Sequence, residues 1–208
     1  MATSLKKYIQ QLSGKKAPGP STSFTIFHVF YALQLLSQKP IGRNKLAELL
    51  GVGDGAIRTI ISRLLEADLI VTSKAGCELT EKGKDIWHQF KEIFPKEVDF
   101  GKSDLNPKEY NYAFLVRNCG ERVGSGINQR DAAIIAGAHK AFVMVYHGGH
   151  LKIETVIEDM EKQYPKTTKQ MLEQLQPQEN DAIVVASAES SLRAKRGAFA
   201  ASWSLISA

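Results

Sequence analysis

Cysteine is scarce in this chain of 208 residues: only Cys77 and Cys119 occur, and neither stands in a spaced motif. Two isolated thiols cannot form a disulfide scaffold or a cysteine-ligated zinc site, so a reducing cytoplasm is the expected setting. Long apolar runs are absent too. None approaches the roughly 18–20 residues that a membrane-spanning helix needs, and no membrane partner is expected. The opening stretch, "MATSLKKYIQQLSGKKAPGP", has lysines but no apolar centre, so it does not read as a secretory signal. Catalytic signatures are missing: there is no nucleophile elbow, no His-Glu-x-x-His and no acid–base pair at motif spacing. Neither an enzyme nor a cofactor is therefore expected, although distant residues can converge in a fold.

Acidic residues are lacking from the start of the chain. Lys6, Lys7, Lys15, Lys16, Lys39, Arg43 and Lys45 all precede the first carboxylate, Glu48, and the formal net charge is +5. A positive N-terminal half attracts polyanions by raising their local concentration and by counterion release. Solubilising a loose tail accounts for the same lysines equally well.

Glycine and proline divide the chain. Residues 14–23, "GKKAPGPSTS", are too punctuated for regular structure, so 1–22 reads as a basic, flexible N-terminal segment whose first part could form a short helix. A second break, "FPKEVDFGKSDLNPKEYN" at 94–111, carries Pro95, Gly101 and Pro107. It places a domain boundary near residue 105 and two domains over 23–104 and 105–208. No internal repeat is visible.

In the first domain "FTIFHVFYALQLLSQ" is an apolar helix ending before Pro40. Arg43–Leu50 is a short helix with Leu46, Leu49 and Leu50 on one side, closed by Gly51. Asp54 is a good N-cap for the next helix, "GAIRTIISRLLEA". There Ile57, Ile60, Ile61, Leu64 and Leu65 repeat at helical spacing and predict the buried face. The opposite face then carries Gly55, Thr59, Ser62, Arg63 and Glu66, with Arg58 on its flank. "LIVT", "KAG" and "CEL" predict a hairpin, and "TEKGKDIWHQF" a closing helix.

The order helix, helix, helix, hairpin, helix and the segment "GAIRTIISRLLEADLI…CELTEKGKDI" resemble winged helix-turn-helix transcriptional regulators, over about residues 23–94. Their pattern is an apolar-spaced recognition helix, a Leu-Ile strand entry and a Leu-Thr-x-x-Gly hairpin exit. The resemblance implies that Arg58, Thr59, Ser62 and Arg63 face the major groove of double-stranded DNA. It also implies that Arg43 and Lys45 meet phosphates and that Lys74 is the cation of the wing. The helix departs from that pattern in its few Asn, Gln and Lys residues, its Gly-Asp-Gly opening, and acidic Glu66 and Asp68. Modest affinity per module, and hence a homodimer, is expected.

From Tyr110 the periodicity changes to strand, helix, hairpin, helix, strand, helix. The fold class expected for the whole chain is α+β: a winged helix-turn-helix followed by a ferredoxin-like (βαββαβ) domain with an extra C-terminal helix, for dimerisation or ligand sensing. Gly120, Gly124 and Gly126 stand between a strand and a helix. With Arg122 and Arg130 they are the candidate site for an anionic small-molecule effector. A plain tight turn explains the same glycines, and Asn128 with Asp131 has capping-box spacing. His147 and His150 flank a Gly-Gly turn without a local carboxylate or cysteine, so no metal site is expected. In the last helix Leu192, Phe199, Trp203 and Ile206 form a packing stripe, and Gly197 and Ala201 allow close approach. Arg193, Lys195 and Arg196 are expected on its polar side.

The expected function is a cytoplasmic, dimeric, DNA-binding transcriptional regulator. The whole chain, including "GSGINQRDAAIIAGA", also resembles archaeal winged-helix proteins with an α/β C-terminal domain. Two alternatives stand beside it: a nucleotide- or phosphometabolite-binding enzyme that uses the Gly120–Gly126 loop, and a protein-interaction adaptor.

Overall fold

The computed structural model describes residues 2–14, 23–153 and 160–206. Two compact units make up the chain, one running to Phe90 and the other starting at Lys91. The first holds helices α1 (Ala2–Ser13), α2 (Ile26–Leu36), α3 (Arg43–Leu50) and α4 (Asp54–Glu66), strands β1 (Ile70–Ser73) and β2 (Gly76–Leu79), and most of α5 (Glu81–Ile93). The order expected after residue 23 is thus present. The opening segment is more structured than expected. Leu5, Ile9 and Leu12 recur at helical spacing, and burying all three makes α1 part of the core. Lys15 and Lys16 lie outside the described residues.

Local chemistry explains each boundary. The Thr25 N–H donates to His28 Nδ1 at 2.9 Å, which satisfies a donor at the head of α2. Gly51 ends α3 in the left-handed region, φ 66°. Gly53, not Asp54, is the N-cap of α4; Asp54 is the first helical residue, and its carboxylate meets Arg58. β1 and β2 pair antiparallel from Ile70↔Leu79 to Ser73↔Gly76, and Ile41 bridges to Cys77 at their side. A Cβ on Gly76 would come within 2.5 Å of the Ile41 backbone, so that close approach needs glycine. At the hairpin exit the Thr80 hydroxyl donates to the Asp68 carbonyl at 2.7 Å and accepts from the Gly83 N–H at 3.0 Å. A Cβ on Gly83 would stand 2.0 Å from the Leu69 carbonyl oxygen.

The second unit contains β3 (Glu97–Ser103), β4 (Asn106–Val116), α6 (Ile127–Ile135), β5 (Lys140–His147), β6 (His150–Lys152), α7 (Met160–Gln163), α8 (Pro165–Leu175), β7 (Ala182–Ala188) and α9 (Ser191–Ser204). The expected break at 94–111 is a hairpin instead. Its irregular register is held by the buried Asn111 side chain, which donates to the carbonyls of Gly101, Asn106 and Glu109 at 2.9–3.1 Å. Because this hairpin belongs to the second unit, the division falls at Phe90 and not near residue 105.

The sheet order is β3-β4-β7-β5-β6, antiparallel throughout. The ferredoxin-like expectation is corrected here. The βαββαβ order exists along the chain, but its last strand, β7, lies between the first two, where a ferredoxin-like sheet places the third. Residue size and polarity account for this: "AIVVASA" is small and apolar and is buried along its whole length, which suits a central strand. Ala113, Leu115, Met144, Ile183 and Val185 pack with Met171 and Leu175 of α8. The alternate residue Phe114 meets Phe199 of α9 with ring centroids 6.0 Å apart. Helices therefore cover both faces, and each such fully buried ring or aliphatic side chain contributes about 1.5–3 kcal/mol. The fold is α+β, with helices packed on an antiparallel sheet.

Candidate functional site

α4 turns outward the face its isoleucines and leucines suggest, except that Arg63 is inside and Leu65 outside. Ala56, Ile57, Ile60, Arg63 and Leu64 are buried, while Leu65 is 40% exposed. Asp54, Gly55, Arg58, Thr59, Ser62 and Glu66 form the exposed face. Arg63 is the correction. Its guanidinium donates to the carbonyls of Leu12 at 2.8 Å and Gly14 at 2.6 Å and stands 5.1 Å from the Phe24 ring centre. It locks α1 to α4 and cannot reach outward as a contact residue.

Around that face the remaining candidates are exposed. The Asp54 carboxylate joins two helices: Arg58 is 2.8 Å away on α4, and Arg43, from the start of α3, is 3.8 Å away. Lys45 pairs with Glu48 at 2.7 Å. Thr59 donates to the Gly55 carbonyl, and Ser62 to Glu66. Lys74 is exposed at the hairpin turn, which Ser73 Oγ shapes by accepting from the Ala75 N–H at 3.1 Å. Exposed ion pairs like these are worth at most about 1 kcal/mol.

The glycine loop has a different character. Gly120 opens a 3-10 turn, Gly120–Arg122, and packs tightly: a Cβ there would lie 2.6 Å from both Asn180 Oδ1 and Val145 Cγ1. Its N–H donates to the Asn180 carbonyl at 2.8 Å, and the Glu121 N–H donates to the Asn180 side chain at 3.1 Å. Beside it the buried Asp181 carboxylate accepts from Arg117 at 2.5 Å and from the backbone N–H groups of Asn118 and Gln178. The first glycine thus serves loop-to-loop packing. Gly124 and Gly126 adopt φ of 54° and 74°, and Gly126 is the N-cap of α6, so the expected Asn128–Asp131 capping box does not form. Arg122 is exposed, and Arg130 pairs with its neighbour Asp131 at 3.1 Å.

Other polar groups converge where the sequence carried no motif. His147 and His150 are cross-strand partners, and Glu179 reaches His147, a carboxylate the local sequence did not offer. Among the described residues no group of three or more His, Cys, Asp or Glu is arranged to hold a metal ion. His139 lies between Glu109, 2.5 Å from its Nδ1, and Glu189, 3.0 Å from its Nε2. Lys195, expected on a polar face, is buried. Its ammonium pairs with Glu97 at 2.8 Å and stands 5.1 Å from the Tyr112 ring centre, while the Tyr112 hydroxyl donates to the same Glu97 oxygen. Burial holds its pKa below the usual lysine range, against the opposing pull of Glu97. Both thiols, Cys77 and Cys119, are free and buried, and desolvation pushes each above its usual range, which makes them poor nucleophiles. A groove of about 440 Å³ in the first unit is bordered by Lys39, Lys84, Trp87 and His88. These groupings join residues from separate elements, so spacing along the chain could not reveal them.

No helix among the described residues is long and apolar enough to cross a membrane. Residues 107–205 match the family model described as Domain of unknown function (DUF4443), and residues 26–85 match the one described as PH0730-like, N-terminal domain. A comparison with curated proteins finds no match. Among solved structures the chain is similar to hypothetical protein PH0730 from Pyrococcus horikoshii OT3, with 24% identity and a TM-score of 0.72, over 88% of this chain and 93% of that one. At this identity the likeness speaks for the fold alone. The two halves of the chain are thus similar to two family models, neither of which names an activity.

Proposed function

We propose that this chain is a DNA-binding transcriptional regulator that acts as a homodimer, with its first unit a winged helix-turn-helix. The junction of α3 and α4 carries this reading. Arg43 and Arg58, from two helices, meet at Asp54 beside the exposed hydroxyls of Thr59 and Ser62. Cations set beside small hydroxyl donors suit a phosphate backbone next to base edges. β1 and β2 are the wing, with Lys74 at its tip, and Lys45 adds a phosphate contact. Arg63 is left out of the contact set because it is buried. The carboxylates of Asp54, Glu48 and Glu66 near these groups lower the affinity of a single module, so pairing of two modules is part of the proposal.

The test is a fluorescence-anisotropy titration of duplex DNA at low and raised salt with wild type, Arg43→Ala and Arg58→Ala. Binding should fall steeply with salt, and each substitution should weaken it roughly five-fold and lower the log–log salt slope by about one. No binding at low salt, or affinity unchanged by both substitutions, would reject the proposal.

A further inference from the structure

α6 carries an apolar face that its own fold leaves uncovered. Gln129 and Ala133 are buried against the unit, whereas Ile127, Ile134 and Ile135 are 51%, 43% and 87% exposed. At 3.6 residues per turn Ile127 and Ile134 lie almost in line along the helix. Asp131 then stands about 50° to one side of that line and Arg130 about 50° to the other. Both charges are more than half exposed, and they pair with each other at 3.1 Å.

We propose that two copies of this chain associate through α6, the helices side by side in the same direction about a two-fold axis parallel to them. Charge complementarity selects this occupant and this arrangement. A two-fold axis along the helix sets the Arg130 flank of each copy against the Asp131 flank of the other, and Ile127 and Ile134 meet between them; Ile135, about 90° from the line, lies outside the flanks. Two intrahelical pairs become a ring of four alternating charges around an apolar centre. An antiparallel pairing would oppose Arg130 to Arg130 and Asp131 to Asp131. A partner of single charge sign would meet one of the two flanks unfavourably. An isologous contact of this kind is the commonest form of homodimer. A nine-residue helix offers less than the roughly 800 Å² per partner of a standard interface, so the dimer is a reversible, concentration-dependent one. The inference names the dimer surface of the proposed regulator but stands apart from DNA binding, because it concerns the second unit alone.

Sedimentation velocity of the full chain without DNA, over a concentration series, tests it. Wild type should show a monomer–dimer equilibrium, and Ile134→Glu and Asp131→Arg should each weaken it at least about ten-fold, with unchanged circular dichroism. The exchange Arg130→Asp with Asp131→Arg reverses both flanks together and should restore the dimer. A wild type that stays monomeric at the highest attainable concentration overturns the proposal. So does an association constant unmoved by Ile134→Glu, or an exchange variant as weak as Asp131→Arg alone. DNA affinity is read in the separate titration, so either idea can fail while the other stands.

Discussion

The guanidinium of Arg63 and the carbonyl oxygen of Leu12 lie 2.8 Å apart, a hydrogen bond between residues 51 positions apart in the chain. With the bond to Gly14 it joins α4 to the end of α1. Removing this side chain strands two carbonyls and opens a void beside Phe24. Arg63→Ala should therefore lower stability by roughly 2–3 kcal/mol in urea denaturation. Duplex affinity per folded molecule should stay near the wild-type value. A variant of wild-type stability with lost DNA binding would return Arg63 to the contact face.

Gly120 and Gly124 separate packing from backbone conformation. Alanine at Gly120 drives a methyl against Asn180 and Val145, and overpacking of this kind costs roughly 1–3 kcal/mol. Around Gly124 the space is open, and only its φ of +54° opposes a side chain, worth about 1 kcal/mol. Thermal unfolding of the two variants should rank Gly120→Ala as the more damaging. An equal or reversed ranking would contradict the packing role of Gly120.

His139 should titrate above its ordinary range. The hydrogen bond to Glu109 is the main cause, followed by the charge of Glu109, while Glu189 adds to it and Arg193 opposes it. A raised folded-state pKa stabilises the protein fully below the unfolded value, and the effect is lost as pH rises through the folded one. NMR titration of the imidazole should show a raised midpoint that Glu109→Gln brings back down. A midpoint indifferent to that substitution would mean the contact does not persist in solution.

Local signals made much of the first unit legible. Gly51 closes α3 as its sequence suggests, and the Thr80–Gly83 pattern gains a physical reason in the Leu69 carbonyl that Gly83 faces. Apolar spacing is enough to put Gly55, Arg58, Thr59, Ser62 and Glu66 on the outward face of α4, but it cannot show that α1 returns to bury Arg63 and leaves Leu65 outside. β3 was hidden by Pro95, Gly101 and Pro107, which read as loop punctuation although Asn111 supplies the missing backbone partners. Lys195 reads as a solvent-facing residue because its partner, Glu97, lies 98 positions away. Strand order, too, is not written locally: β7 announces burial but not which neighbours it will have.

That strand has a consequence for a chain made from its N-terminus onward. β4 and β5 each pair with β7, from Val116↔Ala182 on one side and Val145↔Ala182 on the other, and they are joined to each other only through it. Until residues 182–188 have left the ribosome, the second unit can be no more than two separate hairpins with open inner edges. The first unit, whose chain ends at Phe90, can fold well before that. Long-range closure of this kind is slow, and unpaired edges are prone to wrong partners while they wait. Any stalled or truncated product that lacks β7 should therefore carry a folded N-terminal unit attached to an aggregation-prone remainder.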